Sequence, residues 1–336
     1  MTPEAPSAAT PRRLPMRPDG SFTIAQFTDL HLNDGGPTCQ QTVALLETVL
    51  ELEQPDLVIL TGDVSAATDT PLNDAAAAWR LALAPIVRRN LNWACVFGNH
   101  DDEGDLSRAQ LMAFLQQQPG CMAESGPSHL PGVGNYVIDL IQPATETGNR
   151  AAKSGQRAAR LYFLDSHAYG PRGVSLYDWI KAEQIEWFAA AAQASNNTPE
   201  TIKTSKGMKA GDAHDASGLV FFHIPLPEYE QAAQAGQYAG NKLEKVSCAA
   251  VNSGMFAAMV KSGAVAGVFV GHDHVNDYES TQQDIRLCYG RASGFGSYGH
   301  DSMLRGARLI RLRAGQRGFE SWLRLADGSV VRQTAS

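Results

Sequence analysis

The run Leu57-Val58-Ile59-Leu60-Thr61-Gly62-Asp63 is four apolar residues that close on a polar, glycine-containing turn ending in a carboxylate. An apolar run this short, cut off by glycine, reads as a strand buried on both faces. The same grammar recurs along the chain. Residues 22–27 run into Thr28-Asp29-Leu30-His31, 93–97 into Gly98-Asn99-His100-Asp101, 219–222 into His223, and 265–270 into Gly271-His272-Asp273-His274, with 161–164 as a further apolar run. Helical patterns lie between them. Residues 38–53 carry Val43, Leu46 and Leu50 on one face and begin near Pro37, where a first-turn proline is tolerated. Ser107 with Gln110 has the spacing of a capping box for a helix through residue 118, and Ser175 is expected to cap a helix carrying Leu176, Trp179, Ile180, Trp187 and Phe188. Alternation of strand and helix predicts an α/β sandwich, and three later strands without helices between them (285–289, 307–312 and 318–323) predict a more antiparallel finish. Residues 142–156 and 194–217 are polar and without periodicity, and are expected as surface loops.

The acidic, amide and imidazole residues fall just after the expected strands, which is where α/β sheets bind ligands. Singly, each has a bland explanation: an Asp after a strand is commonly a cap or turn former, and a lone His223 is more often a satisfied core histidine. Jointly they are hard to dismiss, because five of the nine histidines sit in these motifs and all would be presented to one sheet edge. Carboxylate, imidazole and amide oxygen together suit Mn, Fe, Zn or Co, and no cysteine belongs to the set. Two ions roughly 3.5–4 Å apart need a shared ligand, which a carboxylate can be. Asp63 is the candidate for that bridge.

The ordered set Asp29-x-His31, Gly62-Asp63, Gly98-Asn99-His100-Asp101, His223 and Gly271-His272-x-His274 resembles the signature of the calcineurin-like metallophosphoesterase family, over residues 22–290. The resemblance implies a four-layer αββα sandwich with mixed sheets, and two divalent or mixed-valence transition metal ions. Asp29, His31, Asp63 and His274 would hold the first, and Asp63, Asn99, His223 and His272 the second. It also implies that the ions acidify a shared water, that hydroxide attacks phosphorus in line, and that His100 stands beside the substrate with Asn99 and protonates the leaving oxygen. Asp101 would orient the His100 ring. Purple acid phosphatases of this superfamily carry a tyrosine three residues after the bridging aspartate and lack the first-motif histidine; here the position is Ala66 and His31 is present, so no iron–tyrosinate colour is expected.

Residues 287–291 run into a glycine-dense loop at 293–299, similar to a phosphatase subgroup of the family. Arg291 has two readings. It binds a substrate phosphate oxygen bidentately, favouring terminal phosphates, or it pairs with a surface acid beside a glycine-rich turn. Tyr298 and His300 are candidates to line the cleft. The expected activity is hydrolysis of a small phosphomonoester; a phosphodiesterase or nuclease with the same ligands is the alternative, and a scaffold that lost catalysis is the reading from another class.

The bulk composition narrows the rest. With 336 residues and 43% hydrophobic content the chain can bury a large core, and its formal charge of −7 gives no nucleic-acid footprint. Five widely spaced cysteines, without a CxxC pair, suggest neither a disulfide framework nor a thiolate metal site. No run is long enough to span a bilayer, and residues 1–20 lack the apolar stretch of an export signal, so a cytoplasmic protein is expected. Those first residues, rich in Pro and Arg, are expected as a disordered leader, with 21–336 as one catalytic domain.

Overall fold

The computed structural model describes residues 11–33, 35–65, 74–143, 155–196 and 217–333. Two sheets face each other. One carries, in sheet order, β13 (Val330–Val331), β12 (Glu320–Leu325), β11 (Gly306–Arg313), β2 (Ser21–Phe27), β3 (Leu57–Thr61) and β4 (Asn92–Val96). The other carries β1 (Arg12–Pro15), β5 (Tyr136–Ile141), β6 (Arg157–Phe163), β7 (Ser217–Phe221), β8 (Val265–Val270), β10 (Ile285–Tyr289) and β9 (Glu279–Gln282). Both are mixed: β2-β3-β4 and β6-β7-β8-β10 are parallel, and β11 to β13 extend the first sheet antiparallel, the finish expected from the sequence for 307–312 and 318–323, whereas 285–289 is β10, parallel to β8 in the other sheet.

The period of two along each strand builds the layers. In β7, Leu219 and Phe221 join Ile24 and Ile59 in the core shared by the two sheets, while Val220 and the following Phe222 join a second core with Phe188, Tyr229 and Met259. Helices α1 (Pro37–Glu53), α2 (Ala75–Arg88) and α3 (Arg108–Leu115) pack Leu46, Trp79 and Met112 on the outer face of the first sheet, in an apolar cluster continuous with that core; α4 (Ala182–Asn196), α5 (Pro227–Gln234) and α6 (Met255–Ser262) supply the second. The molecule is a four-layer αββα sandwich. The capping box forms as expected, with Ser107 accepting from the Gln110 backbone N–H and the Gln110 side chain accepting from the Ser107 N–H.

Two expectations need correction. Residues 12–15 are not leader but β1, an edge strand parallel to β5, where a proline without an N–H is tolerated; residues 1–10 lie outside the described set. The helix expected from Ser175 begins only at Ala182, because Tyr169 and Tyr177 pair as an antiparallel bridge and the Gly170 N–H donates to the Leu176 carbonyl at 3.0 Å, which commits residues 169–177 to a hairpin. Most of the two polar stretches expected as loops lies outside the described residues. Among the described residues, no helix is long and apolar enough to cross a membrane.

Candidate metal centre

The parallel strands of both sheets end at the same edge, and the chemistry-bearing residues follow them: Asp29 and His31 after β2, Asp63 after β3, Asn99 after β4, His223 after β7, His272 and His274 after β8. Asp29, His31, Asp63 and His272 have φ of 53°, 46°, 51° and 79°. Non-glycine residues pay roughly 1–3 kcal/mol each for the left-handed region, and such strain collects at functional sites. Here it is held by hydrogen bonds. The Asp101 carboxylate, fully buried, accepts from the N–H groups of Gly98 (2.7 Å), Asp63 (2.9 Å), Val64 (3.0 Å) and Ser65 (3.1 Å). Gly98 lies so close that a Cβ on it would sit 2.1 Å from Asp63 Oδ1 and 2.4 Å from the Asp63 nitrogen. The glycine-dense loop after β10 serves the same end, with the Gly294 N–H donating to the Asp29 carbonyl at 3.0 Å.

Two buried sets of ligand atoms result, Asp29 with His31 and His274, and Asp63 with His223 and His272, each compact enough to hold a metal ion. The Asp63 carboxylate lies between them. Its Oδ2 is 3.1 Å from His223 Nε2 and 3.9 Å from His31 Nε2, whereas Oδ1 accepts the His100 N–H at 2.9 Å. The His31 and His274 Nε2 atoms face each other at 3.1 Å, and His272 Nδ1 faces His223 Nε2 at 3.3 Å. His223 and His274 each direct Nδ1 to a backbone carbonyl, of Thr61 (2.8 Å) and Tyr298 (3.3 Å), which makes Nδ1 the donor and turns Nε2 inward as the nitrogen that would ligate once its proton leaves. The Asn99 side-chain oxygen is buried with no hydrogen-bond partner. An orphaned buried acceptor costs about 1–3 kcal/mol, and a cation would satisfy it. These residues fit a pair of metal ions.

Electrostatics within the cluster fit the same purpose. Burial alone would raise the Asp29 carboxyl, but the hydrogen bond and charge of His274 and the charge of His223 outweigh it and hold Asp29 at about 2; Asp63, against His223 and His31, lies well below the usual carboxylate range. Burial pushes His31 down to about 4 and, with His223 adding to it, His272 down to about 3, so both are neutral and ready to ligate. For His223, burial is overcome by Asp63 and then Asp29, which raise it to about 9.

Other expected residues sit differently. Asp101 faces the Asp63 turn rather than the His100 ring; the carboxylate at that ring is Glu103, whose Oε2 lies 2.7 Å from His100 Nδ1. Arg291 is buried in an ion pair with Asp277 and donates Nε to the Leu304 carbonyl at 2.6 Å, so the phosphate contact expected of it is replaced by an internal pair. The acid is buried, not at the surface. Tyr298 stacks on the His274 ring at 4.2 Å, while His300 is exposed and bonded to Ser302. Sequence reasoning missed Glu103 as a partner of His100, Tyr177, whose ring edge meets His272 at 4.3 Å, and Tyr169, whose hydroxyl lies 3.5 Å from Asn99 Nδ2. The three-residue step from His100 to Glu103 was the one available signal; the tyrosines carry no motif.

The family model described as calcineurin-like phosphoesterase matches residues 22–276. The chain belongs to this family. This phosphoesterase is 31% identical to Arabidopsis thaliana "Probable inactive purple acid phosphatase 29", over 96% of its own length and 87% of the relative's. It is also 31% identical to Saccharomyces cerevisiae "Phosphatase DCR2", over 94% of its own length and 55% of that longer protein. Among solved structures it resembles a dimetal phosphatase from Danio rerio, with a TM-score of 0.53, 13% identity and coverage of 89% and 98% of the two chains, a likeness of fold.

Proposed function

We propose that this phosphoesterase is a two-metal phosphomonoesterase, with Asp29, His31, Asp63 and His274 holding one ion, Asp63, Asn99, His223 and His272 the other, and ions of the Mn, Fe or Zn class as cofactors. The observation that carries the reading is the pair of buried ligand sets meeting at Asp63 Oδ2. Two adjacent cations held there would supply a water acidic enough to attack at neutral pH and would offset charge on the phosphoryl group. The residues do the rest. Asp101 fixes the turn that presents Asp63, Asn99 turns its oxygen inward, and His100 supplies a proton to the leaving oxygen as its bond to phosphorus breaks and the water oxygen's bond forms. Monoester preference is supported by the relatives named as phosphatases. One of those names includes the word "inactive", but every ligand position and His100 is filled in this chain, which supports catalysis over a scaffold role.

One observation favours a second reading. The cation expected to grip a terminal phosphate oxygen, Arg291, is spent on Asp277, which is what a phosphodiesterase would tolerate. Initial rates on an aryl phosphate monoester and the matching diester, with manganese-loaded protein and Asp63→Asn as control, separate these. A mutant-sensitive monoester preference supports the proposal, a mutant-sensitive diester preference replaces it, and no rate above the control removes both.

A further inference from the structure

His100 does not stand alone at the rim of the centre. Its Nδ1 lies 2.7 Å from Glu103 Oε2, and the Tyr169 hydroxyl donates to Glu103 Oε1 at 2.9 Å while lying within 3.5 Å of Asn99 Nδ2. A carboxylate can only accept, so His100 Nδ1 is the donor and Nε2 is the nitrogen left for a substrate. The tyrosine in turn engages the Asn99 amide on its nitrogen side, so the side chain's other end, the Asn99 oxygen, is the one left buried and unpartnered. Both ends of this chain of contacts are anchored. Residues 169–177 form the hairpin described above, and Arg108 ties the two loops together through the Gly98 carbonyl (2.7 Å), Asp102 (3.2 Å) and Asp165. The Asp165 side chain accepts the His167 N–H at 2.8 Å, two residues before Tyr169.

We propose that Glu103 and Tyr169 are a positioning pair, in which Glu103 fixes the His100 ring by accepting from Nδ1–H, so that Nε2 is the nitrogen that carries a proton to the leaving oxygen, and Tyr169 couples that carboxylate to the orientation of Asn99. The inference rests on the phosphoester-hydrolase reading for its consequence, but not for its geometry. The competing explanation is an incidental surface contact: its members are 23% and 37% exposed, and exposed pairs of that kind commonly contribute little. An incidental pair would leave leaving-group dependence untouched. A positioning role would not.

The experiment is a set of variants, Glu103→Ala, Glu103→Gln and Tyr169→Phe, alone and with His100→Ala, in the full-length metal-loaded protein against aryl and alkyl phosphate monoesters of graded leaving-group acidity. Partners of this kind typically contribute about 10–100-fold, so Glu103→Ala is expected to lower kcat by about tenfold or more on alkyl phosphates with KM little changed. On an activated aryl ester, which needs little protonation, the loss is expected to stay under about threefold. Glu103→Gln recovers part of the loss, because an amide oxygen still accepts from Nδ1–H, and neither Glu103 variant has a further effect once His100 is Ala. Metal content stays at the wild-type value for the Glu103 variants. Equal losses across all leaving groups, an undiminished loss in the His100→Ala background, or loss of metal in Glu103→Ala overturns the proposal. If the wild type turns over no ester faster than Asp63→Asn, nitrogen NMR of His100 in zinc-loaded protein decides it independently: a proton held on Nδ1 in the wild type and lost from it in Glu103→Ala supports the pair, and an unchanged tautomer contradicts it.

Discussion

Replacing Gly98 with Ala is the smallest change that reaches the heart of this site. The added Cβ would meet Asp63 Oδ1 at 2.1 Å and the Asp63 nitrogen at 2.4 Å. Carbon and oxygen at rest need over 3 Å, so one of the two turns must yield by about 1 Å. Neither can yield cheaply. The Asp63 turn is held by three N–H bonds to Asp101 and the Gly98 nitrogen by a fourth, and Asp63 already sits at φ 51°. Overpacking of this kind typically costs about 1–3 kcal/mol, a stability loss the sandwich can absorb while staying folded. Function is less forgiving, since a misplacement of about 1 Å in a preorganised site costs on the order of 100-fold. Gly98→Ala is therefore expected to unfold only a few degrees below the wild type, yet to hold fewer than two metals per chain or to lose roughly 100-fold in kcat on an aryl phosphate. Thermal unfolding, metal analysis and initial rates on one preparation measure all three. A Gly98→Ala protein with two metals and a wild-type rate would refute the claim that Asp63 is held in place by contact with this turn.

Three further outcomes are expected. In metal-free protein, Asp63 and Asp29 raise His223 to about 9 against the opposing pull of burial, so below that pH a metal must displace its proton; apparent affinity should rise about tenfold per pH unit through neutrality, with proton release on binding seen by calorimetry in buffers of different ionisation enthalpy. Affinity flat from pH 6.5 to about 8.5 would contradict this. Arg291→Ala should destabilise the fold by about 3–5 kcal/mol in denaturant titrations by removing the cation paired with the buried Asp277 carboxylate, which keeps only the neutral donors of Asn241 and Gln333, with metal content intact and the monoester-to-diester rate ratio unchanged; a selective loss of monoester activity would restore Arg291 as a substrate ligand. Iron-loaded protein should show no tyrosinate charge-transfer band in its visible spectrum, because position 66 is Ala; a purple preparation would show that another tyrosine reaches the metal.

What could be read from the sequence was what short-range chemistry specifies. Strands β2, β3, β4, β7 and β8 announce themselves as apolar runs closed by glycine or polar turns, and because parallel strands end at one edge, the residues after them had to converge. Strand β1 was hidden because Arg12-Arg13-Leu14-Pro15 has the composition of a solvated leader; its place comes from pairing with β5, more than a hundred residues away. Asp101 looked like a partner of the neighbouring His100, yet a carboxylate one residue on points to the other side of the turn and satisfies four backbone donors. Arg291 likewise followed a motif, but which face of its strand end it takes depends on Asp277 and on the Leu304 carbonyl. The contact between Tyr169 and Glu103 joins loops 66 positions apart, and no periodicity encodes it.

The central claim is that two ions, sharing Asp63, act together on a phosphate ester. Manganese titrated into metal-free protein, with hydrolysis of an aryl phosphate and the electron paramagnetic spectrum followed in the same samples, tests it most directly. The account predicts that the rate climbs chiefly with the second equivalent, levels off at two per chain, and is accompanied by a spin-coupled signal absent from Asp63→Asn. Full activity at one equivalent, or no rate above that variant at any loading, would contradict it.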